Sequence, residues 1–509
     1  MKILLTTLNS KYIHSNLAVK YIYSAVMNEK IDLDLKEYTI NNDKSYVFGE
    51  IVRGDYDAVA FSCYIWNIEE TMYLAENLKK SKPEIQIIMG GPEVATDAAA
   101  ILIENKFVDF IIQGEGEYAF TELCKCFNQI IKGETTPDKC FPKIDGLVYR
   151  FKGKIYVNKS PNNLVMDSIP NPYQYIAPEE DKIIYYESSR GCPRKCSYCL
   201  SSIEKSVRAI SMERVKADLS YFIIKGVRQV KFIDRTFNYD KTRAYEILKY
   251  LIEKDNGITN FHFEICADLV DQKLIELLGI ARKGLFQFEI GVQSTNRDAL
   301  NAVKRSTDVR LVLENINKLV NLGNIEVHSD LIAGLPFESY SSFRTSFNNV
   351  YRTGTHKLHL GFLKLLKGTE IRTQEAIYGY VYQRKAPYEI ISNKFITAKE
   401  LVKLHQIESV FDYYYNRGGF KHTLEFATEM AGGAFEFFEA LAEYYYFKGY
   451  QHSSHSKEDM YRIMYQYSCT MNKSIENYSE NMKACLVKDM EETLNPEAIK
   501  KFQKKGFEI

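Results

Sequence analysis

Three cysteines within eight residues, Cys192-Pro193-Arg194-Lys195-Cys196-Ser197-Tyr198-Cys199, are the part of this chain best suited to chemistry. Spaced by three residues and then two, their thiolates reach three corners of one iron–sulfur cubane. A complete cubane set takes four cysteines, and the nearest others, Cys140 and Cys266, lie far away in sequence. No histidine falls between Ile183 and Phe261 to complete a zinc tetrahedron. The expectation is a 4Fe-4S cluster with one iron open to a ligand that is not protein. An open iron on a low-potential cluster can hold a substrate and pass it one electron. A zinc loop, or a cluster used only for electron transfer, is the alternative reading of these residues.

The elements that must position this loop alternate between strand and helix. Short apolar runs at 3–7, 33–38, 58–63, 86–89 and 108–112 are separated by amphipathic stretches at 17–27, 69–80 and 118–131. Such alternation predicts a parallel sheet covered on both faces, here a flavodoxin-like domain over 1–133. In such sheets a ligand sits beyond the carboxyl ends of the strands. The loops there hold Ser62, the run Gly90-Gly91-Pro92-Glu93 and the run Gly114-Glu115-Gly116-Glu117. Glycines let a backbone approach a ligand closely, although tight strand-to-helix turns use them anyway.

Residues 134–182 read as a linker with a β-hairpin turning at Gly153, followed by four prolines at 161, 170, 172 and 178. Alternation returns over 183–384, with six strands at 183–187, 229–233, 261–265, 285–291, 325–331 and 358–364. Six such units make most of a (β/α) barrel, in which chemistry is placed at the carboxyl ends of the strands. The cysteine loop directly follows the first of them. Residues 385–509 read as α-helical, rich in tyrosine and phenylalanine at core spacing. A helical cap over the barrel mouth is the expectation for that segment.

The cysteine loop resembles the signature of the radical S-adenosylmethionine enzymes, which place an aromatic residue before the last cysteine, here Tyr198. The two glycine runs, with Val108-Asp109 ahead of the second, resemble the cobalamin-binding domain fused ahead of many such enzymes. The resemblance covers about 1–371. It implies that Cys192, Cys196 and Cys199 hold the cluster, whose open iron chelates S-adenosylmethionine, and that the electron yields a 5′-deoxyadenosyl radical. It further implies that Tyr198, Asp234, Asn238, Glu264, Gln293, Ser294 and Gly334 surround S-adenosylmethionine. Ser62, Gly90, Gly91, Glu93, Gly114 and Gly116 would line the cobalamin. His14 lacks the Asp and Gly of a cobalt-ligating loop, so a cobalt without a protein ligand below is expected. Cys266, at the end of the third barrel strand, reads as a small buried apolar residue rather than a reactive thiol.

The implied function is a cobalamin-dependent methyltransferase acting on an unactivated carbon. The alternatives are a radical cyclase or oxidoreductase of the anaerobic porphyrin cyclase type, a tRNA methylthiotransferase, or a non-enzymatic iron–sulfur scaffold. The chain has 66 basic and 66 acidic residues among 509, so no global field draws it to nucleic acid or an anionic membrane. The expected partners are a small-molecule substrate and an external one-electron reductant such as flavodoxin or ferredoxin. No run approaches the length of a membrane span, and the ten cysteines form no regular framework, which points to a reducing cytoplasm.

Overall fold

The computed structural model describes residues 1–161, 163–204, 206–471, 477–497 and 499. Five strands open the chain: β1 (Lys2–Asn9), β2 (Asp32–Thr39), β3 (Ala58–Ser62), β4 (Gln86–Gly90) and β5 (Phe110–Ile112). They pair in parallel in the order β2-β1-β3-β4-β5, the flavodoxin-like order. Alternate residues feed two apolar layers, as a strand's two-residue period requires. Leu4, Val59, Ile87 and Ile111 pack on one face, and Ile3, Ala58, Ile88 and Phe110 on the other.

The hairpin expected within a linker belongs instead to this sheet. Strand β6 (Leu147–Phe151) lies antiparallel against β5, and β7 (Lys154–Val157) pairs outside it, giving seven strands in all. Leu147, Val148 and Tyr149 are buried. The largely exposed β7 is what made the segment read as a connection.

Six parallel strands form the second sheet: β8 (Ile184–Tyr186), β9 (Gln229–Phe232), β10 (Asn260–Glu264), β11 (Phe286–Gln293), β12 (Glu326–Ala333) and β13 (Lys357–Phe362). Each pairs with the next in sequence, as in an open barrel. On β11 the apolar residues Phe286, Phe288, Ile290 and Val292 are buried, and the intervening Gln287, Glu289, Gly291 and Gln293 form the other face. A bulge between Gly291 and Gln293, with Gln293 at φ +69°, re-aims the end of this strand. The helix Leu17–Val26 joins the two sheets, because Leu17 and Tyr21 enter the barrel's core while Val19 and Val26 face the first sheet.

The C-terminal helices do not cap the barrel mouth as expected. Ala398–Phe411 and Ala434–Phe447 pack on its flank, and Lys421–Met430, Lys457–Met471 and Tyr478–Thr493 pack behind them. Phe347 of the barrel helix Tyr340–Tyr351 meets Phe411 and Phe435 edge-on at 5.0 and 5.5 Å. The barrel core thus continues into these helices without a break. Their aromatic stripes serve packing. Among the described residues, no helix is long and apolar enough to cross a membrane.

Strand β13 ends the sheet and leaves a backbone edge that water or another strand would otherwise claim. Asn416, in a π turn over Asp412–Asn416, covers part of it. Its Oδ1 accepts from the Leu358 amide at 2.9 Å and its Nδ2 donates to the Leu358 carbonyl at 3.1 Å. Asn416→Ala leaves both groups unpaired and should cost about 1–3 kcal/mol. Urea denaturation checks this, and an unchanged midpoint would contradict it.

Candidate active site

The cysteine loop leaves β8 through Glu187 to Gly191 and is tied to three other loops. Arg194 makes a two-pronged ion pair with Asp268 at 2.8 and 2.9 Å, and the Thr307 hydroxyl donates to the same carboxylate at 3.0 Å. The Ser197 amide donates to the Val303 carbonyl, and the Ser197 carbonyl accepts from the Ile371 amide, both at 2.9 Å. These bonds fix the backbone between Cys192 and Cys199 without using a thiol.

All three thiols border a cavity of about 250 Å³ at the carboxyl ends of the barrel strands, together with Tyr198, Glu264 and Gln293. Among the described residues no three histidine, cysteine or carboxylate side chains converge on one point to bind a single ion. A cubane makes a different demand, because each thiolate binds a different iron and the sulfurs stand around a space. The thiols fit that demand. Burial pushes the Cys192 thiol up, offset by the Thr236 hydroxyl at 3.4 Å and the Arg194 amide. Metal binding must therefore displace its proton.

The cavity also contains groups that no motif announced. Arg305, in the loop after helix Arg297–Ala302, donates toward Cys196 Sγ at 3.7 Å and Tyr198 Oη at 3.5 Å, and its other nitrogen donates to the Gly291 carbonyl. A guanidinium here offsets thiolate charge. Asp330, at a strand end where polar residues were visible in sequence, lines the cavity too. Neither the Asp330 carboxyl nor the Glu264 carboxyl has a side-chain hydrogen-bond partner among the described residues. Burial pushes both carboxyls up, and for Asp330 the charges of Glu289 and Glu264 add to it, whereas Arg235 pulls Glu264 back. Gln293 Oε1 is likewise buried without a partner. These unpaired groups suit a ligand carrying both hydrogen-bond donors and positive charge.

Four expected contacts fall outside the cavity. Asp234 is buried and engaged by the Ser188 amide at 2.7 Å and the Ser188 and Ser189 hydroxyls at 2.6 and 2.7 Å, so it braces the start of the cysteine loop. Asn238 pairs with both backbone groups of Cys266 at 2.9 Å. The Ser294 hydroxyl donates to Glu338 at 2.6 Å. Gly334, at φ +90°, lies where a Cβ would stand 2.0 Å from Ile390 Cδ1, so its glycine serves close packing. Cys266 borders the cavity as a buried thiol beside Thr236.

A second, larger cleft of about 830 Å³ opens between the two sheets. Ser62, Gly90, Gly91, Gly114 and Gly116 line it. A Cβ on Gly91, at φ +101°, would stand 2.5 Å from the Cys63 carbonyl oxygen, so only glycine keeps this wall in place. Glu93 is the exception among the expected residues. It is buried and accepts from the Tyr388 hydroxyl at 2.7 Å, which pins the first domain to the segment after the barrel. His14 does not line the cleft either, and its Nδ1 is 2.6 Å from the Tyr185 hydroxyl on β8.

The acids between the glycines do the joining. Arg190 pairs with Glu115 at 2.9 Å, Glu117 at 3.0 Å and Glu187 at 2.8 Å. Burial opposes ionisation of Glu115, but hydrogen bonds from Arg208 and the charge of Arg190 outweigh it and hold its carboxyl below the usual range. Glu187, Arg190 and Leu200, which flank the cysteines, also line the cleft. The loop is therefore the partition between cleft and cavity.

Comparison with known families assigns both halves. The B12 binding domain family matches residues 3–124, and the radical SAM superfamily matches residues 186–350. The chain thus joins a B12 binding domain to a radical SAM domain, the pairing that cobalamin-dependent radical S-adenosylmethionine enzymes carry. Residues 376–508 match a family described as protein of unknown function (DUF4080). The 2-(S-pantetheinyl)-carbapenam-3-carboxylate methyltransferase of Streptantibioticus cattleyicolor is 28% identical over 358 residues, covering 64% of this chain and 49% of that protein. The cobalamin-dependent radical SAM methyltransferase TokK of Streptomyces tokunonensis is 26% identical over 347 residues, with the same coverage. The chain thus spans about half the length of these curated relatives. Among solved structures, OxsB with aqua-cobalamin and S-adenosylmethionine bound superposes with a TM-score of 0.64 at 13% identity, covering 96% of this chain and 84% of that one. At that identity the likeness is one of fold.

Glu338 gives a pH test of this framework. Its Oε1 accepts from Ser294 and Ser346, its Oε2 has no partner, and burial pushes the carboxyl up to about 7. The folded state then binds more protons than the unfolded one between about pH 4.3 and 7, so stability falls as pH rises through that window. Glu338→Gln should remove this fall. Relative to the native protein it should gain on the order of 3 kcal/mol between pH 4.5 and pH 8. Urea midpoints at the two pH values check it, and parallel pH curves would contradict it.

Proposed function

We propose that this chain is a cobalamin-dependent radical S-adenosylmethionine enzyme, most simply a methyltransferase acting on an unactivated carbon of a small molecule. The observation that carries this reading is the contiguity of the two sites across a single loop. Cys199 borders the cavity, and its neighbour Leu200 borders the cleft. When bound, the cluster supplies one electron to break a sulfur–carbon bond of S-adenosylmethionine, and cobalamin supplies the methyl group. Both must reach one substrate atom, and holding reactants together is what such an arrangement achieves.

The chain's own residues hold and orient. Cys192, Cys196 and Cys199 supply the iron ligands, and Arg305 offsets their charge. Glu264, Gln293 and Asp330 line the cavity that the ligand of the open iron would enter, while Asp234 and Asn238 brace the adjoining loops. Ser62 and the four glycines of the cleft accommodate cobalamin. Arg190 holds the cleft against the barrel through its three carboxylate partners. A protein electron donor and a cytoplasmic setting complete the reading, since a cluster of this kind needs a reductant and a reducing compartment.

Two substitutions separate the sites. Cys196→Ala should abolish cluster assembly and release of 5′-deoxyadenosine while cobalamin stays bound, as read by iron and sulfide content, nucleoside assay and visible absorbance. Gly91→Ala should do the converse, losing most bound cobalamin while cluster and nucleoside release persist. Loss of both cofactors in either variant, or of neither, would contradict the two-site reading.

A further inference from the structure

One cation of the site has no partner within the chain. Four arginines line the cavity or the cleft, at 190, 194, 235 and 305, and neither hollow has a lysine or a histidine on its wall. Arg190 is held by three carboxylates. Arg194 is spent on Asp268, and Arg305 on the Gly291 carbonyl and the cysteine loop. The Arg235 side chain is exposed and makes no hydrogen bond or ion pair among the described residues.

Its backbone is fixed even so. Arg235 follows β9 between two buried residues, Asp234 and Thr236. Asp234 is held by Ser188 and Ser189, and the Thr236 hydroxyl donates to the Arg235 carbonyl at 2.7 Å. This strand end runs from one hollow to the other, with Ile233 on the wall of the cleft and Arg235 and Thr236 on that of the cavity. Burial pushes up both the Glu264 carboxyl of the cavity and the Tyr64 phenol of the cleft, and the Arg235 charge pulls both back. The guanidinium therefore stands at the seam between the hollows, near Glu264 but not paired with it.

A substrate served by both hollows must stand at that seam. A guanidinium there offers a planar fork of donors that matches a carboxylate or a phosphate, two bonds at a time. The acids of the cavity do not oppose such a group. Burial pushes Glu264 and Asp330 toward the neutral form, and Glu289 is offset by Lys231 and His262, each 2.9 Å away. We infer that Arg235 binds an anionic group of the substrate, so that the small molecule acted on is an acid, its carboxylate or phosphate ester directed at the end of β9. The inference deepens the proposed function and rests on its reading of the two hollows as serving one substrate.

Phenylglyoxal, which modifies accessible arginines, tests the anion site without a known substrate. In holoprotein with both cofactors and S-adenosylmethionine, acetate or inorganic phosphate should slow modification of Arg235 several-fold, and glucose should not. The exposed Arg297 and Arg310 serve as references that neither anion protects, all three being read by peptide mass spectrometry. The stronger protector tells a carboxylate site from a phosphate site. No protection at Arg235, or equal protection at all three arginines, would overturn the inference whether or not any product is ever formed. A second arm follows the deuterated methyl group of labelled S-adenosylmethionine into an anaerobic small-molecule extract, with dithionite as reductant. The labelled product should fragment as a carboxylic acid or a phosphate ester. Arg235→Gln should raise the extract concentration needed for half-maximal labelling on the order of tenfold, with Arg235→Lys in between. A labelled product with neither acid group would overturn the inference, as would an equal loss of S-adenosylmethionine affinity in Arg235→Gln. Absence of labelled product from the native protein would instead strike at the proposed reaction.

Discussion

The two sites depend on one buried guanidinium. Arg190 stands two residues before Cys192, and its three carboxylate partners come from the glycine loop of the first domain and from the end of β8. A buried ion pair of this kind contributes little net stability, but removing one member costs about 3–5 kcal/mol, because the others are left uncompensated. Its worth here is geometric. It fixes the angle between the first sheet and the barrel, and thus the distance between whatever the cleft holds and whatever the cavity holds. Arg208 on the short strand paired with Ser189–Arg190 meets Glu115 as well, so the joint is braced from both sides.

Around that joint, polar residues divide into those that present atoms and those that hold the presenters. Glu264, Gln293 and Asp330 have open valences facing the cavity. Asp234, Asn238, Ser294 and Glu338 are spent on neighbouring backbone and hydroxyls. Such bracing keeps loops between parallel strands from collapsing into a lumen whose lining is polar. The C-terminal helices belong to the same economy of support, since they cover the barrel's flank and its last strand.

How much of this was legible in sequence follows from the range of the interactions. The eleven parallel strands with their two-residue periods were visible because burial on both faces writes itself into apolar composition. The cysteine loop and the cleft glycines stood out as candidates because residue type and spacing are local, and the fold brings them to the cavity and the cleft. Asp234 and Gly334 show the limit: a polar or flexible residue at a strand end looks the same whether it meets a ligand or a distant neighbour such as Ile390. Arg305 and Arg190 carry no local pattern at all. Their partners lie far along the chain, and only the folded topology brings Arg305 to Cys196 or Arg190 to Glu115. Glu93 looked like part of the glycine run, yet its partner Tyr388 is 295 residues away.

The central claim is that three thiols of one loop hold a cluster whose fourth iron is free to bind a small chelating sulfonium. Mössbauer spectroscopy of iron-57 protein, assembled without oxygen and measured with and without S-adenosylmethionine, tests it most directly. One iron site in four should shift on addition while the other three stay put. Four sites indifferent to the addition would contradict the account.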